Sequence, residues 1–442
     1  MAALVRLLAG EGFSLLISVK SIFPFSAGKS ILLNCRLNMF SNMKNSFIVL
    51  LAALLLTGCA DKETQIKKMA DKIHASSLTV DTHCDTPMNL VENNFDLGIR
   101  HETGCVDFPR MKEGGLDAEF LAVFTGQGPR NDSTYLQVWN YALKVIDAIK
   151  ANVAKNSSMA ELAYSPDDAY RIKRAGKIAA FIGVENGYPI GKDVTKVKQL
   201  YDLGARYITL CHTSNNDICD SSSDPQGPEN NGLSPLGVEV VKEMNRIGMM
   251  VDVSHISDKS FYDVIKVSKA PVIASHSSCR ALCSSPRNLT DDMLQALKSN
   301  GGVCQICILS AYIKTPEPNP QLDAALKALK EKYGDYRNLS DSLKKQYRQE
   351  RWDLQDKFMQ LATVSDVVDH IDHVVQVIGI DYVGIGTDFD GGGGVKGCRT
   401  AAEMKNITIE LLRRGYSRKD IAKIWGGNIM RVFREVQKSA SV

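Results

Sequence analysis

The residues able to do chemistry in this chain are imidazoles and carboxylates that each follow a short apolar run. His83 and Asp85, within Asp81-Thr82-His83-Cys84-Asp85, lie two residues apart at the end of Leu78–Thr82. Side chains on a strand alternate with period two, so an imidazole nitrogen and a carboxylate oxygen point the same way there, as a metal-ligand pair requires. Glu185 closes the run Ile178–Val184, His212 follows Tyr207–Cys211, and His255 closes Met249–Ser254. His276 follows Val272–Ser275, and Asp388 follows Val383–Thr387. Each residue alone reads as a hydrogen-bonded structural group, a helix cap or a turn residue. Their recurrence at equivalent places is what carries weight.

Three neutral imidazoles and two carboxylates suffice for two divalent ions if one carboxylate bridges. Two such ions, roughly 3.5–4 Å apart, share a water, lower its pKa and polarise a carbonyl. Glu185 is the natural bridge, so one ion is expected on His83, Asp85 and Glu185 and the other on Glu185, His255 and His276. Mixed nitrogen and oxygen donors suit Zn²⁺, with Mn²⁺ or Co²⁺ as substitutes.

A scaffold must bring these residues together. Ala118–Phe124 and Val303–Leu309 raise the count of apolar runs to eight. Helical periodicity separates most of them, at Val138–Ile149, Val194–Leu203, Val238–Ile247, Phe261–Val267, Met293–Leu297 and Val364–Ile378. Continuous apolar strands alternating with amphipathic helices predict a parallel sheet covered on both faces. Eight of them predict an α/β chain folded as a closed (β/α)8 barrel of the TIM type, whose C-terminal strand ends converge on one rim. Between the seventh and eighth strands, residues 314–362 form an insertion. Pro316-Glu317-Pro318-Asn319-Pro320 breaks the chain, and the charged stretch Leu322–Leu361 has apolar residues at helical spacing. One or two solvated helices are expected there, as decoration, a lid or a homodimer contact. Ile407–Leu412 and Ile421–Val432 predict two closing helices. His74, His101, His370 and His373 fall in linker or helical stretches, with His370 and His373 expected to be exposed.

The 442 residues, 44% hydrophobic and 23% charged, fit a globular domain of barrel size with insertions. Residues 1–58 read as a leader. Met43-Lys44-Asn45 opens a positive segment, and Phe47–Leu56 is an apolar core of signal-peptide length, too short to span a bilayer. Leu56-Thr57-Gly58-Cys59 resembles a bacterial lipobox, which predicts lipidation of Cys59, export and attachment to a bacterial membrane on the periplasmic or cell-surface side. Residues 1–42 read as an over-extended start, 59–77 as a linker, and 78–436 as the barrel. Without the leader the chain has 48 basic against 49 acidic residues, which leaves no basic footprint for nucleic acid. Nine of the 11 cysteines lie beyond Cys59, an odd number that cannot all pair. Most are expected as buried small hydrophobes, with a disulfide involving Cys279 and Cys283 permitted by export. Cys304 and Cys307 should face opposite sides of their strand.

Several stretches together resemble the renal or membrane dipeptidase family of zinc peptidases, among the amidohydrolase-like metal barrels. They are Asp81–Pro87, Val106–Arg110, Gly183–Gly187, Gly204–His212, Ser254-His255, Ser275–Ser278 and Gly386–Gly391, with Gly426-Gly427-Asn428 and Arg431-Val432-Phe433 near the end. The resemblance runs from about Leu78 to Phe433. It implies hydrolysis of dipeptides, including those with a C-terminal D-residue, by a hydroxide held between two zinc ions. It also implies that His212 contacts substrate and holds the oxyanion, that Arg287 pairs with the substrate carboxylate, and that Asp388 moves a proton from the hydroxide to the leaving amine. Without it, Arg287 reads as a surface salt bridge. The chain departs from the family at Asn186, where a second glycine is usual, at Cys84 between the first ligands, and at Gln305–Leu309, which lacks an aromatic near the substrate. Cys84 should point away from its neighbours, against covalent catalysis. The alternatives are another amidohydrolase reaction on the same site, an N-acyl amino acid deacylase or a lactam or lactone hydrolase, and a non-catalytic binding lipoprotein.

Overall fold

The apolar runs become the staves of a barrel because nearly every one of their side chains is buried, half against the barrel interior and half against surrounding helices. In the computed structural model, which describes residues 62–334, 339–358 and 361–441, the strands are β1 Val80–Cys84, β2 Ala118–Phe124, β3 Ala160–Leu162, β4 Ile178–Glu185, β5 Ala205–Thr209, β6 Met250–Asp252, β7 Ile273–Ser277, β8 Val303–Cys307 and β9 Val383–Gly386. Eight are parallel neighbours in the order β1-β2-β4-β5-β6-β7-β8-β9. The three-residue β3 pairs with β4 outside this path and has no counterpart among the expected runs. The seam between β9 and β1 is closed just beyond the strands. The Asp85 amide donates to Phe389 O (2.8 Å) and the Asp388 amide to His83 O (3.0 Å). Lower down, the Asp81 carboxylate accepts from the Thr387 amide (2.7 Å) and hydroxyl (2.5 Å). The expected (β/α)8 architecture is therefore the observed one.

The N-terminal end of the barrel is filled. The helix Asn428–Lys438 crosses beneath it, and Arg431 donates to Gly301 O (2.9 Å) and Asp381 O (3.0 Å), just ahead of β8 and β9. Phe433 packs against Phe120 and Phe181, which stack on each other at 4.5 Å between centroids. Tyr207 continues this column from Phe120 toward the opposite mouth. Gly183 leaves the space: a Cβ there would lie 2.1 Å from the Tyr207 ring. The second expected closing helix is interrupted. Arg418–Ala422 and Asn428–Lys438 are separated by a π turn, Lys423–Gly427.

Other expectations change in detail. The stretch expected as a linker is helical over 62–76 and buries Ala70, Ile73 and His74. The insertion forms two helices, Pro320–Tyr333 and Asp341–Phe358. His370 is not exposed: it is 1% accessible, its Nδ1 accepts from the Cys279 amide (3.0 Å), and its Nε2 donates to Ile313 O (2.8 Å). His373 is half-buried and lies 2.7 Å from an Asp291 carboxylate oxygen. All nine described cysteines are free thiols, Cys279 and Cys283 included. Cys59 and the leader lie outside the described residues. Among those described, no helix is long and apolar enough to cross a membrane. Gln65–Val442 forms one compact unit.

Candidate metal centre

All seven residues read from the strand ends meet at the C-terminal mouth. Glu185 ends β4 and is 2% exposed, with its two oxygens facing different partners. Oε2 lies 3.5 Å from His83 Nε2, while Oε1 lies 3.0 Å from His255 Nε2 and 3.5 Å from His276 Nε2. Asp85 Oδ2 is 3.7 Å from His83 Nε2. His212 Nε2 stands 3.8 Å from Glu185 Oε1, and the Asp388 carboxylate groups with His83 and His276. His83, Asp85 and Glu185 form one donor set as expected. The second grouping is Glu185 with His212 and His255, while His276 groups with His83 and Asp388; His276 Nε2 nevertheless lies nearer Glu185 Oε1 than His212 Nε2 does.

The tautomers follow from the residues behind the ligands. The Tyr207 hydroxyl donates to Thr82 O (3.2 Å), so it accepts from His83 Nδ1 (2.8 Å). The Ser275 hydroxyl donates to Asp252 Oδ2 (2.6 Å), so it accepts from His276 Nδ1 (2.7 Å). Both Nε2 atoms therefore turn a lone pair into the site. His83 Nε2 and Asp85 Oδ1 are buried without a hydrogen-bond partner, and His255 Nε2 faces His276 Nε2 at 2.8 Å. Imidazole nitrogens and carboxylate oxygens lying within 4.8 Å of one another in a dry site are a donor set that fits divalent metal.

Electrostatics divide the imidazoles: burial alone would lower His83, but Tyr207 and Glu185 hold it well above its ordinary value. Burial pulls His276 down to about 3, helped by His83, and pulls His255 well below its ordinary value, helped by Arg287, so both are neutral at pH 7. Burial alone would raise the Glu185 carboxyl, but His83 and His212 hold it well below the usual range. Asp388 goes the other way, pushed well up by burial and the Asp85 charge.

The mouth stores backbone strain. His255, Asp388, Asp390 and Asn186 all have φ between 61° and 73°. Asn186 thus takes the left-handed conformation that explains the family's glycine, and asparagine tolerates it better than other side chains. Gly391 permits close approach: a Cβ there would lie 2.2 Å from both Asp388 Oδ1 and Asp85 Oδ2.

Arg287 is not at the surface. It is 5% exposed, donates to His276 O (3.0 Å) and Ser277 Oγ (3.3 Å), lies 5.3 Å from the Tyr312 ring centroid, and has an unpartnered Nε. No carboxylate forms a salt bridge with it among the described residues. Tyr207, Asp252 and Ser275 support the site without having stood out in the sequence. A charged Asp252 inside an apolar run was the available signal, since a buried carboxylate needs a structural reason.

Residues 67–442 match the family model described as membrane dipeptidase, peptidase family M19. The chain is similar to dipeptidase tcpJ of Claviceps purpurea, 34% identical over 80% of this chain and 76% of that protein. It is likewise similar to dipeptidase ataJ of Aspergillus terreus, 31% identical over 82% and 85%. Among solved structures it resembles the probable dipeptidase PvdM of Pseudomonas aeruginosa, with a TM-score of 0.76 and 31% identity over 85% of this chain and 100% of that one.

Proposed function

We propose a reaction for this chain from one premise: it belongs to the membrane dipeptidase family and is a dipeptidase of the metallopeptidase class. The proposed reaction is hydrolysis of dipeptides, C-terminal D-residues included, with two Zn²⁺ ions held by His83, Asp85 and Glu185 and by Glu185, His255 and His276. When bound, such a pair supplies an activated water and polarises the scissile carbonyl. Arg287 receives the free C-terminal carboxylate on its Nε and terminal nitrogens, which limits substrate length on that side. His212, on the open side of Glu185, donates to the oxyanion as the carbonyl carbon becomes tetrahedral. Asp388 takes the proton from the attacking water and returns it to the departing amine. Cys84 is buried among core residues and takes no part.

The observation that carries the reading is the Glu185 carboxylate, with one oxygen turned to His83 and the other to His255 and His276. The test pairs metal analysis with a substrate panel of L-Ala-L-Ala, L-Ala-D-Ala and N-acetylated amino acids. Two ions per chain and cleavage of the free dipeptides are expected. Cleavage of N-acylated compounds alone would replace this reading with a deacylase, and a protein holding no metal would sink it.

The sequence Leu56–Cys59 further supports lipidation of Cys59 and attachment outside the cytoplasm. A Cys59→Ser variant expressed in bacteria should leave the membrane fraction. Retention there would overturn the anchor.

A further inference from the structure

We propose that Cys307 is the positioning residue for Asp388. Its thiol, at the C-terminal end of β8, donates to the Asp388 carboxylate and fixes the rotation of that group. The two strands set the approach, since Cys307 pairs with Gly386 on β9, two residues ahead of Asp388. Cys307 Sγ lies 3.8 Å from Asp388 Oδ2. No other side chain hydrogen-bonds to that carboxyl among the described residues. Its second oxygen is confined from the opposite side, where any Cβ on Gly391 would fall 2.2 Å from Oδ1. The carboxyl is thus held between a thiol and a bare stretch of backbone. Cys304, three residues earlier, turns outward to Ser277 O, so only Cys307 of the pair faces the mouth. Burial pushes the Cys307 thiol well up, so it stays protonated and acts as a donor. A thiol is a weak donor, suited to orienting a carboxyl that must still take and release a proton.

This inference rests on the reading of Asp388 as the proton-moving group. The test compares Cys307→Ala and Cys307→Ser in the metal-loaded protein and on an Asp388→Asn background. Cys307→Ala should lower kcat on L-Ala-L-Ala about fivefold to tenfold, the scale of one lost hydrogen bond. KM and the metal content should hold. Cys307→Ser, which keeps a donor, should recover most of the loss, and on the Asp388→Asn background Cys307→Ala should cost nothing further. Unchanged kcat in Cys307→Ala would overturn the inference. So would a loss that serine does not restore, or an equal loss on the Asp388→Asn background. Full activity of Asp388→Asn alone would remove the role of Asp388 itself, a failure distinguishable from that of Cys307.

Discussion

The two ends of this barrel are built from the same strands and solve opposite problems. At the base, alternate side chains from β1, β2, β4, β5 and β8 (Val80, Phe120, Phe181, Tyr207, Val303) are apolar or aromatic and are met by Phe433, so the interior is packed solid. A few residues further along, those strands end in His83, Glu185, His212 and Cys307, in unpartnered polar atoms and in left-handed backbone. Stability is concentrated where side chains interlock, and reactivity where imidazoles and carboxylates crowd together. Tyr207 joins the two, its ring in the lower column and its hydroxyl on a ligand.

If that division is real, substitutions at the mouth should cost activity with little stability, and substitutions at the base the reverse. Glu185→Gln should have the largest effect: loss of bound metal and a fall in kcat/KM of at least about 10³-fold, while its urea midpoint stays near that of chelated wild-type protein. Unfolding of this variant would break the comparison. Asp388→Asn should lose about 10²- to 10⁴-fold in kcat with metal retained, read by activity assay beside metal analysis. At the base, Phe433→Ala should lower stability by about 3–5 kcal/mol in urea titration, with kcat per folded molecule unchanged.

Acid should loosen the base through His74. Its Nδ1 is 2.9 Å from Gly115 O and its Nε2 2.6 Å from Thr408 Oγ1, and burial lowers its pKa to about 4 from an ordinary value of 6.5. The unfolded chain therefore takes up this proton first. Stability is retained above pH 6.5 and falls as the pH drops toward 4, by roughly 3 kcal/mol in all. His74→Gln should flatten that limb in urea titrations between pH 7 and 4, and an unaltered slope would remove His74 as the cause. The smallest effect is expected from glycine in place of Asn186. The buried Asn186 side chain donates to Thr125 O and accepts from the Tyr188 amide and Asn216 Nδ2, so glycine there, though at ease with the φ, should cost about 1–3 kcal/mol, and valine, forced to the same φ, more.

Much of the barrel and its mouth is legible in the amino-acid sequence because burial dictates residue type. Each main strand is an apolar run, and on six of the eight a His, Glu or Asp at or just past the end stands out against it. The alternation at His83-Cys84-Asp85 even sets the directions of the side chains. What escapes is fixed by contacts between distant segments. Arg287 looks like a loop arginine until β7 and the helix bearing Tyr312 enclose it. His370 sits on an amphipathic helix, and its burial depends on two distant backbone groups, the Cys279 amide and the carbonyl of Ile313 at the end of the helix Ser310–Ile313. β3 is too short to carry a periodic signal, and the π turn at Lys423–Gly427 fits Gly426 against Leu78 O, a contact no local pattern records.

The helix that crosses the base has a consequence for how the chain is made. Asn428–Lys438 follows every strand in the chain, so a ribosome delivers all eight staves before their stopper. Until then the aromatic column is open to solvent from below, and the nascent polypeptide lacks a finished core. The contact of Phe433 with Phe120 and Phe181, and with it the filled base, is thus the last part of the core that synthesis supplies.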